Sequence, residues 1–350
     1  MKIAAYTICL NEEKHVARWL EANKEADYRV ILDTGSTDNT ISLLHEAQKT
    51  DPHLIVHETK IVPWRFDDAR NAALALAPTD VDVCLSVDMD EIPDEGFFKT
   101  VREEWKRETT RGWFPFDTGS VWQCNRLHSR FGYRWISPCH EVAVKYGTEP
   151  EVSQNFTVGM SHRPDNDKSR GQYLDLLVMA VNEKPEDGRM WTYLAREYYF
   201  HSNWAKVLEA SSVAVALEDT WNVEKAYACR LAALAAQQHG HNPEALLLEG
   251  IKHDSESLES WYPLAHFYFL EKRWQECWDA ASKRLTTKQT THYLRENSVW
   301  DWKMYDLMGL AKWHLGDKES ALKWSEIALK GDPENERLIK NLEFIKNESA

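Results

Sequence analysis

The sequence predicts two domains of different class: an α/β domain with a largely parallel sheet over residues 1–170, then an all-α domain of helical repeats over residues 171–350. Three observations predict it. Up to about residue 100, short apolar runs alternate with amphipathic stretches in the order β-α-β-α-β-α-β, which calls for right-handed crossovers. After about residue 170 the strand pattern stops, and aromatic and small residues recur at a fixed interval. A chain of 350 residues with 43% apolar and 28% charged side chains is too long for one small core and too apolar to stay unfolded.

In order, Ile3–Ile8 reads as a buried strand. Asn11 is placed to cap a helix through Lys24, with Glu12 and Glu13 in its first turn and Val16, Trp19 and Leu20 on one face. Val30–Leu32 is a second strand, and Ile41, Leu44 and Ala47 mark the helix after it. Leu54–Val56 is a third strand, followed by a helix from about Asp67 to Leu76. Val81, Val83, Leu85 and Val87 then keep a strand's period of two. Trp113–Tyr133, rich in aromatic and basic residues, reads as a loop that shapes a pocket.

In the second half, Trp191, Leu194, Ala195 and Tyr198 recur 70 residues on as Trp261, Leu264, Ala265 and Tyr268, two units of 35. A third copy has Tyr305, Met308 and Gly309, then Ala321, Ala328 and Pro333. Small residues framed by aromatics let antiparallel helix pairs pack closely and stack into a shared core. The stretch Ala226–Ile251 is a degenerate copy. These helices resemble tetratricopeptide repeats, about four of them, with Glu334–Ile345 as a polar capping helix. The aromatics are then repeat core, and His239-Gly240-His241 is an exposed turn.

Composition narrows the function. The net charge is −14, and each side of residue 170 carries 21 basic against 28 acidic residues, so neither half is a basic nucleic-acid module. One local exception runs from Lys106 to Arg134, where Arg126, Arg130 and Arg134 suggest a groove for an anion. The six cysteines are dispersed with no CxxC pair, which fits free thiols in a reducing cytoplasm. The longest apolar run near the start, Ile3–Leu10, matches neither a secretory signal nor a membrane span.

Two carboxylate clusters carry the chemistry. Asp33 ends the second strand, and Asp88, Asp90 and Glu91 end the fourth. In an open parallel sheet both lie at the carboxyl edge, where such folds bind ligands. Two carboxylates ~5 Å apart at an effective dielectric of ~20 repel by about 3 kcal/mol. A divalent cation removes that repulsion and bridges to phosphates, and Asp-x-Asp presents both acids on one side of a strand. The competing reading is that Asp88 or Asp90 caps a helix starting near Pro93. No two glycines lie two or five positions apart, so neither GxGxxG nor a P-loop is present, and side chains with a metal must hold any nucleotide.

These residues fall in motifs that resemble family 2 glycosyltransferases: Thr7–Glu13, Val30–Thr40, Phe66–Ala72 with Arg70-Asn71, and Val87–Glu91, in that order. The resemblance is strong to about residue 95 and thins by about 165. It implies the A-type glycosyltransferase fold, a Rossmann-like sheet. It also implies a nucleotide-sugar donor, most often a UDP-sugar, and Mn²⁺ or Mg²⁺. Position by position, the residues from Ile8 to Asn11 would border the nucleobase, Glu12 would belong to the donor site, and Asp33 would bind the base or ribose. Arg70 would approach the diphosphate, Asp88 the ribose side and the metal, and Asp90 the metal as the central catalytic ligand. Glu141, in Pro138-Cys139-His140-Glu141, is the candidate base of an inverting transfer, ahead of Asp117 and Glu91; it reads equally as an ion-paired residue. His162 is a candidate third metal ligand. The sequence lacks an obvious Glu-Asp pair and a Gln-x-x-Arg-Trp element, which leaves the acceptor open among glycan, protein and modified nucleobase. The repeats would present an acceptor, bind a protein partner or mediate self-association. The alternative is an inactive nucleotide-binding domain on a repeat scaffold; a nucleotidyltransferase or a glycoside hydrolase fits the acid spacing less well.

Overall fold

The computed structural model describes residues 1–119, 121–164, 173–288 and 292–349. It divides into two compact units, Met1–Ala180 and Val181–Ala350. The expected division at residue 170 lies outside the described residues.

In the first unit, β1 (Ile3–Cys9), β2 (Tyr28–Asp33), β3 (Leu54–Glu58) and β4 (Val83–Ser86) alternate with α1 (Val16–Ala22), α2 (Thr40–Gln48) and α3 (Phe66–Ala75). They are followed by β5 (Glu91–Pro93), α4 (Phe97–Glu104), β6 (Arg111–Asp117), β7 (Val121–Ser129), β8 (Tyr133–Ile136), β9 (Val142–Lys145), β10 (Ser153–Asn155) and β11 (Met160–His162). The main sheet has the order β3-β2-β1-β4-β7-β6-β11-β5, with β10 beside β6; β8 and β9 pair apart from it. Its first four strands are parallel. β7 then joins β4 antiparallel, so the sheet is mixed from that point.

Strand β1 is central, and its alternation feeds two cores. Ile3, Ala5 and Cys9 face one with Trp19, Leu44 and Phe114; Ala4 and Tyr6 face the other with Leu74 and Trp135. Burial on both faces explains why β1 is apolar almost throughout. The indole of Trp19, fully buried, donates to the Val87 carbonyl at 3.0 Å and so pins the chain leaving β4.

Three local expectations change. Asn11 does not cap α1, which starts at Val16 behind His15; Asn11 lies well upstream at φ +56°, and its Oδ1 accepts from Thr37 N and Asp38 N instead. Trp113–Tyr133 is mostly the β6–β7 hairpin, because Phe114 and Phe116 point into the core while alternate residues face out. Pro115 and a register irregularity between Gly112 and Phe114 mask that alternation in the sequence. The helix expected near Pro93 begins at Phe97 behind Gly96 (φ +78°), so neither Asp88 nor Asp90 is its cap.

From α5 (Tyr173–Glu183) onward the chain is helical. The second unit stacks α6 (Gly188–Phe200), α7 (Trp204–Ala216), α8 (Asn222–Gln238), α9 (Glu244–His253), α10 (Leu258–Leu270), α11 (Trp274–Ala281), α12 (Met304–His314), α13 (Lys318–Gly331) and α14 (Glu336–Ser349), each packed on the next. The repeat is visible atom by atom. Trp191 and Trp261 each donate an indole N–H at 2.8 Å to the carbonyl six residues upstream, Pro185 and Ser255. A Cβ on Gly309 would lie 2.5 Å from Ser325 Oγ and 3.3 Å from the Ala321 carbonyl oxygen, so α12 and α13 touch backbone to backbone only because that residue is glycine. Asp187, Asn203 and Asp317 cap α6, α7 and α13. The degenerate stretch forms a full helix pair, α8 and α9, in contact at Gly250 and Cys229. His239 and His241 are exposed between these helices, as a turn requires.

Candidate active site

The carboxyl ends of β1, β2 and β4 meet at one edge, and polar side chains join the loops that leave them. Asn11 Oδ1 accepts from Thr37 N at 2.7 Å and from Thr37 Oγ1 at 3.3 Å, while Asn11 N donates to Ser36 Oγ at 2.8 Å. Glu12 N donates to Thr40 Oγ1 at 2.7 Å, and Glu13 accepts from Asn39. Asn and Glu at these positions therefore close the β1 loop on the β2 loop. Ile8 is half-buried beside them, and Glu12 is buried.

Asp33 lies at the expected edge but turns inward. It is fully buried; Oδ1 accepts from Gly35 N and Ser36 N at 2.8 Å each, and Oδ2 accepts from the Ser36 hydroxyl and, at 3.4 Å, the Cys9 thiol. Gly35, at φ +118°, makes that tight turn. In this arrangement Asp33 shapes the loop that leaves β2.

Next to this edge lies a cluster of acids and arginines. Arg70, on α3 and buried, donates from Nε to Glu141, from Nη1 to Asp88 Oδ1 at 2.7 Å and Ser86 Oγ at 3.1 Å, and from Nη2 to Asp88 Oδ2 at 3.1 Å. Arg126, on β7, donates to Asp88 Oδ2 at 3.1 Å and to Glu91. Glu91 closes the turn by accepting from Asp88 N at 2.7 Å. Burial alone would raise the Asp88 carboxyl, but the Arg70 and Arg126 guanidinium groups hold it well below the usual carboxylate range. Burial raises Glu91, and the Asp88 charge adds to that against the pull of Arg126.

Asp90 has a partner of its own. His162 Nε2 lies 3.2 Å from Asp90 Oδ2, and both side chains are partly exposed. The sheet dictates this meeting: β11 pairs antiparallel with β5 so that His162 is opposite Glu91, and Arg163 N donates to the Asp90 carbonyl at 2.7 Å. The Asp90 hydrogen bond raises the His162 pKa against the effect of burial.

Among the described residues, no group of three His, Cys, Asp or Glu side chains is placed to hold a metal ion. The expected set of Asp88, Asp90 and His162 is thus not assembled, because arginines take both Asp88 oxygens. Asp90 and His162 remain, a hard carboxylate oxygen and an imidazole nitrogen. With all four acids ionised and His162 neutral, Asp88, Asp90, Glu91 and Glu141 against Arg70 and Arg126 leave −2, a field that a cation would balance. A diphosphate entering that field is repelled unless a divalent ion accompanies it. Asp90 and His162 are the residues that would hold a divalent ion such as Mn²⁺ or Mg²⁺, which would supply charge neutralisation beside a phosphate.

Arg126 and Trp135 escape sequence reasoning as site residues. Arg126 sits in the basic run, of which three arginines are engaged within the chain while Arg134 is exposed. Arg126 is spent on Asp88 and Glu91, Arg130 on the carbonyls of Ala75, Ala77 and Pro78, and Arg111 on Asn125 O, Ala143 O and Glu151. The spacing of Arg126 two residues after Cys124 on an alternating strand was the available signal. Glu141 is found ion-paired to Arg70, the bland half of its expectation. Asp117, at the end of β6, accepts from Gly119 N at 2.8 Å in its own turn.

Residues 5–149 match the model of glycosyl transferase family 2. A curated relative, the lipopolysaccharide core biosynthesis glycosyltransferase LpsC of Rhizobium meliloti (strain 1021), is 30% identical over 104 residues, 29% of this chain and 37% of that protein. The chain thus spans little more than a third of the length of the curated relative it matches. Similar solved structures include MamA (TM-score 0.36, 16% identity, 47% of this chain and 89% of that one). They also include YrrB, described as a TPR protein with an unusual peptide-binding site (TM-score 0.40, 14% identity, 49% and 83%). A third is MamA from Desulfovibrio magneticus RS-1 (TM-score 0.37, 13% identity, 46% and 85%). The mixed sheet and the ordered motifs lie in register with that match, so residues 5–149 are similar to glycosyl transferase family 2, followed in the same chain by stacked helix pairs.

Proposed function

We propose that the N-terminal unit is an inverting, metal-dependent glycosyltransferase that moves a sugar from a nucleotide diphosphate donor, a UDP-sugar first, to a hydroxyl acceptor. The observation that supports it best is the meeting of Asp90 with His162 beside an arginine-held Asp88, at the carboxyl edge of the parallel strands. Held by Asp90 and His162, Mn²⁺ or Mg²⁺ would neutralise the departing diphosphate. Asn11 and Ser36 keep the nucleobase-side loops closed on each other. Arg70 fixes one oxygen of Glu141, and Oε2 has no hydrogen-bond partner among the described residues, so it is the atom proposed to take the proton of the incoming hydroxyl.

A glycan acceptor is the first to test, since the curated relative is by name a lipopolysaccharide core glycosyltransferase; protein and modified nucleobase are the others. The helical unit is proposed to serve self-association or a protein partner, for which exposed Trp221 and Leu270 are available. No helix among the described residues is long and apolar enough to cross a membrane, and all six cysteines are buried free thiols; a reducing cytoplasm is the proposed compartment.

A thermal-shift panel of nucleotide sugars with and without Mn²⁺ tests the reading. A ligand at 100 times its Kd stabilises by about 2.7 kcal/mol. A shift for at least one donor that needs the metal is expected. No shift with any donor would return the chain to the inactive-scaffold reading.

A further inference from the structure

The in-plane hydrogen bonds of Arg70 do not by themselves hold its guanidinium group. They fix its edges; its face lies over the ring of Trp135, with 5.0 Å from Cζ to the centroid. Trp135 is buried on β8, outside the main sheet, and is anchored from two sides. Asn71, next to Arg70 on α3, pairs with its backbone in both directions: Trp135 N donates to Asn71 Oδ1 at 2.8 Å, and Asn71 Nδ2 donates to Trp135 O at 2.9 Å. The indole N–H donates to Tyr6 Oη at 2.7 Å, Tyr6 Oη lies 3.0 Å from His128 Nε2, and His128 Nδ1 lies 2.9 Å from Ser129 O.

With His128 kept neutral by burial, which pushes its pKa down to about 4, only one direction of donation satisfies that chain. An indole N–H can only donate and a carbonyl can only accept. Tyr6 therefore donates to Nε2, and His128 carries its proton on Nδ1. Tyr6 is also paired across the sheet with Ser86, whose hydroxyl accepts from Arg70. The chain thus runs from β8 through β1 to β7, outside α3, and its Trp135 end lies under the face of one cation.

We infer that Trp135, Tyr6 and Asn71 are positioning residues for Arg70, setting the plane of its guanidinium and through it the places of Asp88 and Glu141. The inference rests on the proposed transfer reaction for its consequence in turnover, but not for its geometry. Plain core packing would also bury Trp135 and Tyr6; it would not require that a hydroxyl on β1 govern the mobility of an arginine on α3.

The test uses the intact chain labelled with ¹⁵N-arginine. The Arg70 Nε–H signal is assigned by its loss in Arg70→Lys, and its hydrogen exchange is compared in wild type, Tyr6→Phe and Trp135→Phe. Tyr6→Phe keeps the ring and removes the hydroxyl; Trp135→Phe keeps a ring under Arg70 and removes the tether. Arg70 exchange is expected to quicken about five- to tenfold in both, the factor carried by one hydrogen bond of about 1–1.4 kcal/mol. Amide exchange in β2 and β3 should stay at the wild-type rate. Where a nucleotide-sugar turnover is found, kcat should fall by a similar factor with KM little changed. Unchanged Arg70 exchange in the folded variants overturns the inference. A wild type without turnover counts against the transfer reading instead, while the exchange result still decides the positioning claim.

Discussion

Removing the Arg126 guanidinium group tests the electrostatics of the cluster most sharply. In Arg126→Met, Glu91 and Asp88 lose the cation between them, while Asp88 keeps Arg70. Glu91 is 4% exposed and Arg126 is 16% exposed, so water does little to replace the pair. Two routes bound the cost. With both acids ionised ~5 Å apart at an effective dielectric of ~20, repulsion costs about 3 kcal/mol. Alternatively Glu91 takes a proton, which at about 1.4 kcal/mol per pH unit costs about 3 kcal/mol at pH 7 but under about 1 kcal/mol at pH 5. The sign follows: an acid whose folded pKa is raised destabilises the fold at high pH, and the penalty fades as pH falls toward the ordinary glutamate value. Amide exchange of β1 and β4 against urea, in the intact chain, reports this unit's unfolding free energy apart from the helical unit. A loss of about 3 kcal/mol at pH 7 that shrinks below about 1 kcal/mol at pH 5 is expected. A loss that is the same at both pH values would refute the charge argument and leave only lost packing on Phe116.

Three further outcomes follow from the same coordinates. Gly309→Ala should destabilise the helical unit by about 1–3 kcal/mol in a urea melt of α12 and α13, because its Cβ meets Ser325 and Ala321; donor binding should be unaffected. Asn11→Ala should cost about 1–2 kcal/mol and quicken amide exchange at Thr37 and Asp38, which lose their shared acceptor. Buried, neutral His128 gives the wild type a stability that declines as pH falls from 6.5 toward about 4, by up to about 3 kcal/mol, since only the unfolded chain takes up the proton there. In His128→Asn that part of the slope should disappear from the pH dependence of the melting temperature.

The fold class was legible because its signals are local. Period-two strands at Val81–Val87 and the recurrence of Trp191 at Trp261 each follow from burial on one face. The β6–β7 hairpin was not, since Pro115 and the irregularity at Gly112 interrupt its alternation. At the site, the edge position of Asp33, Asp88 and Asp90 follows from strand order alone. Their partners do not. Whether an acid meets a cation, a loop amide or a histidine depends on contacts between positions as distant as Asp88 and Arg126, or Asp90 and His162. Hence crowded acids suggested one shared metal, where the chain itself supplies arginines to Asp88 and pairs Asp90 with His162.

The most direct measurement is release of UDP from UDP-sugars by the intact chain, with and without added Mn²⁺ or Mg²⁺, alongside Asp90→Asn and His162→Asn. The expected result is release that needs the metal, falls by roughly 100-fold in Asp90→Asn and by roughly 10-fold or more in His162→Asn. Metal-independent release, or an Asp90→Asn protein as active as wild type, contradicts the assignment of that pair as the ion's anchor.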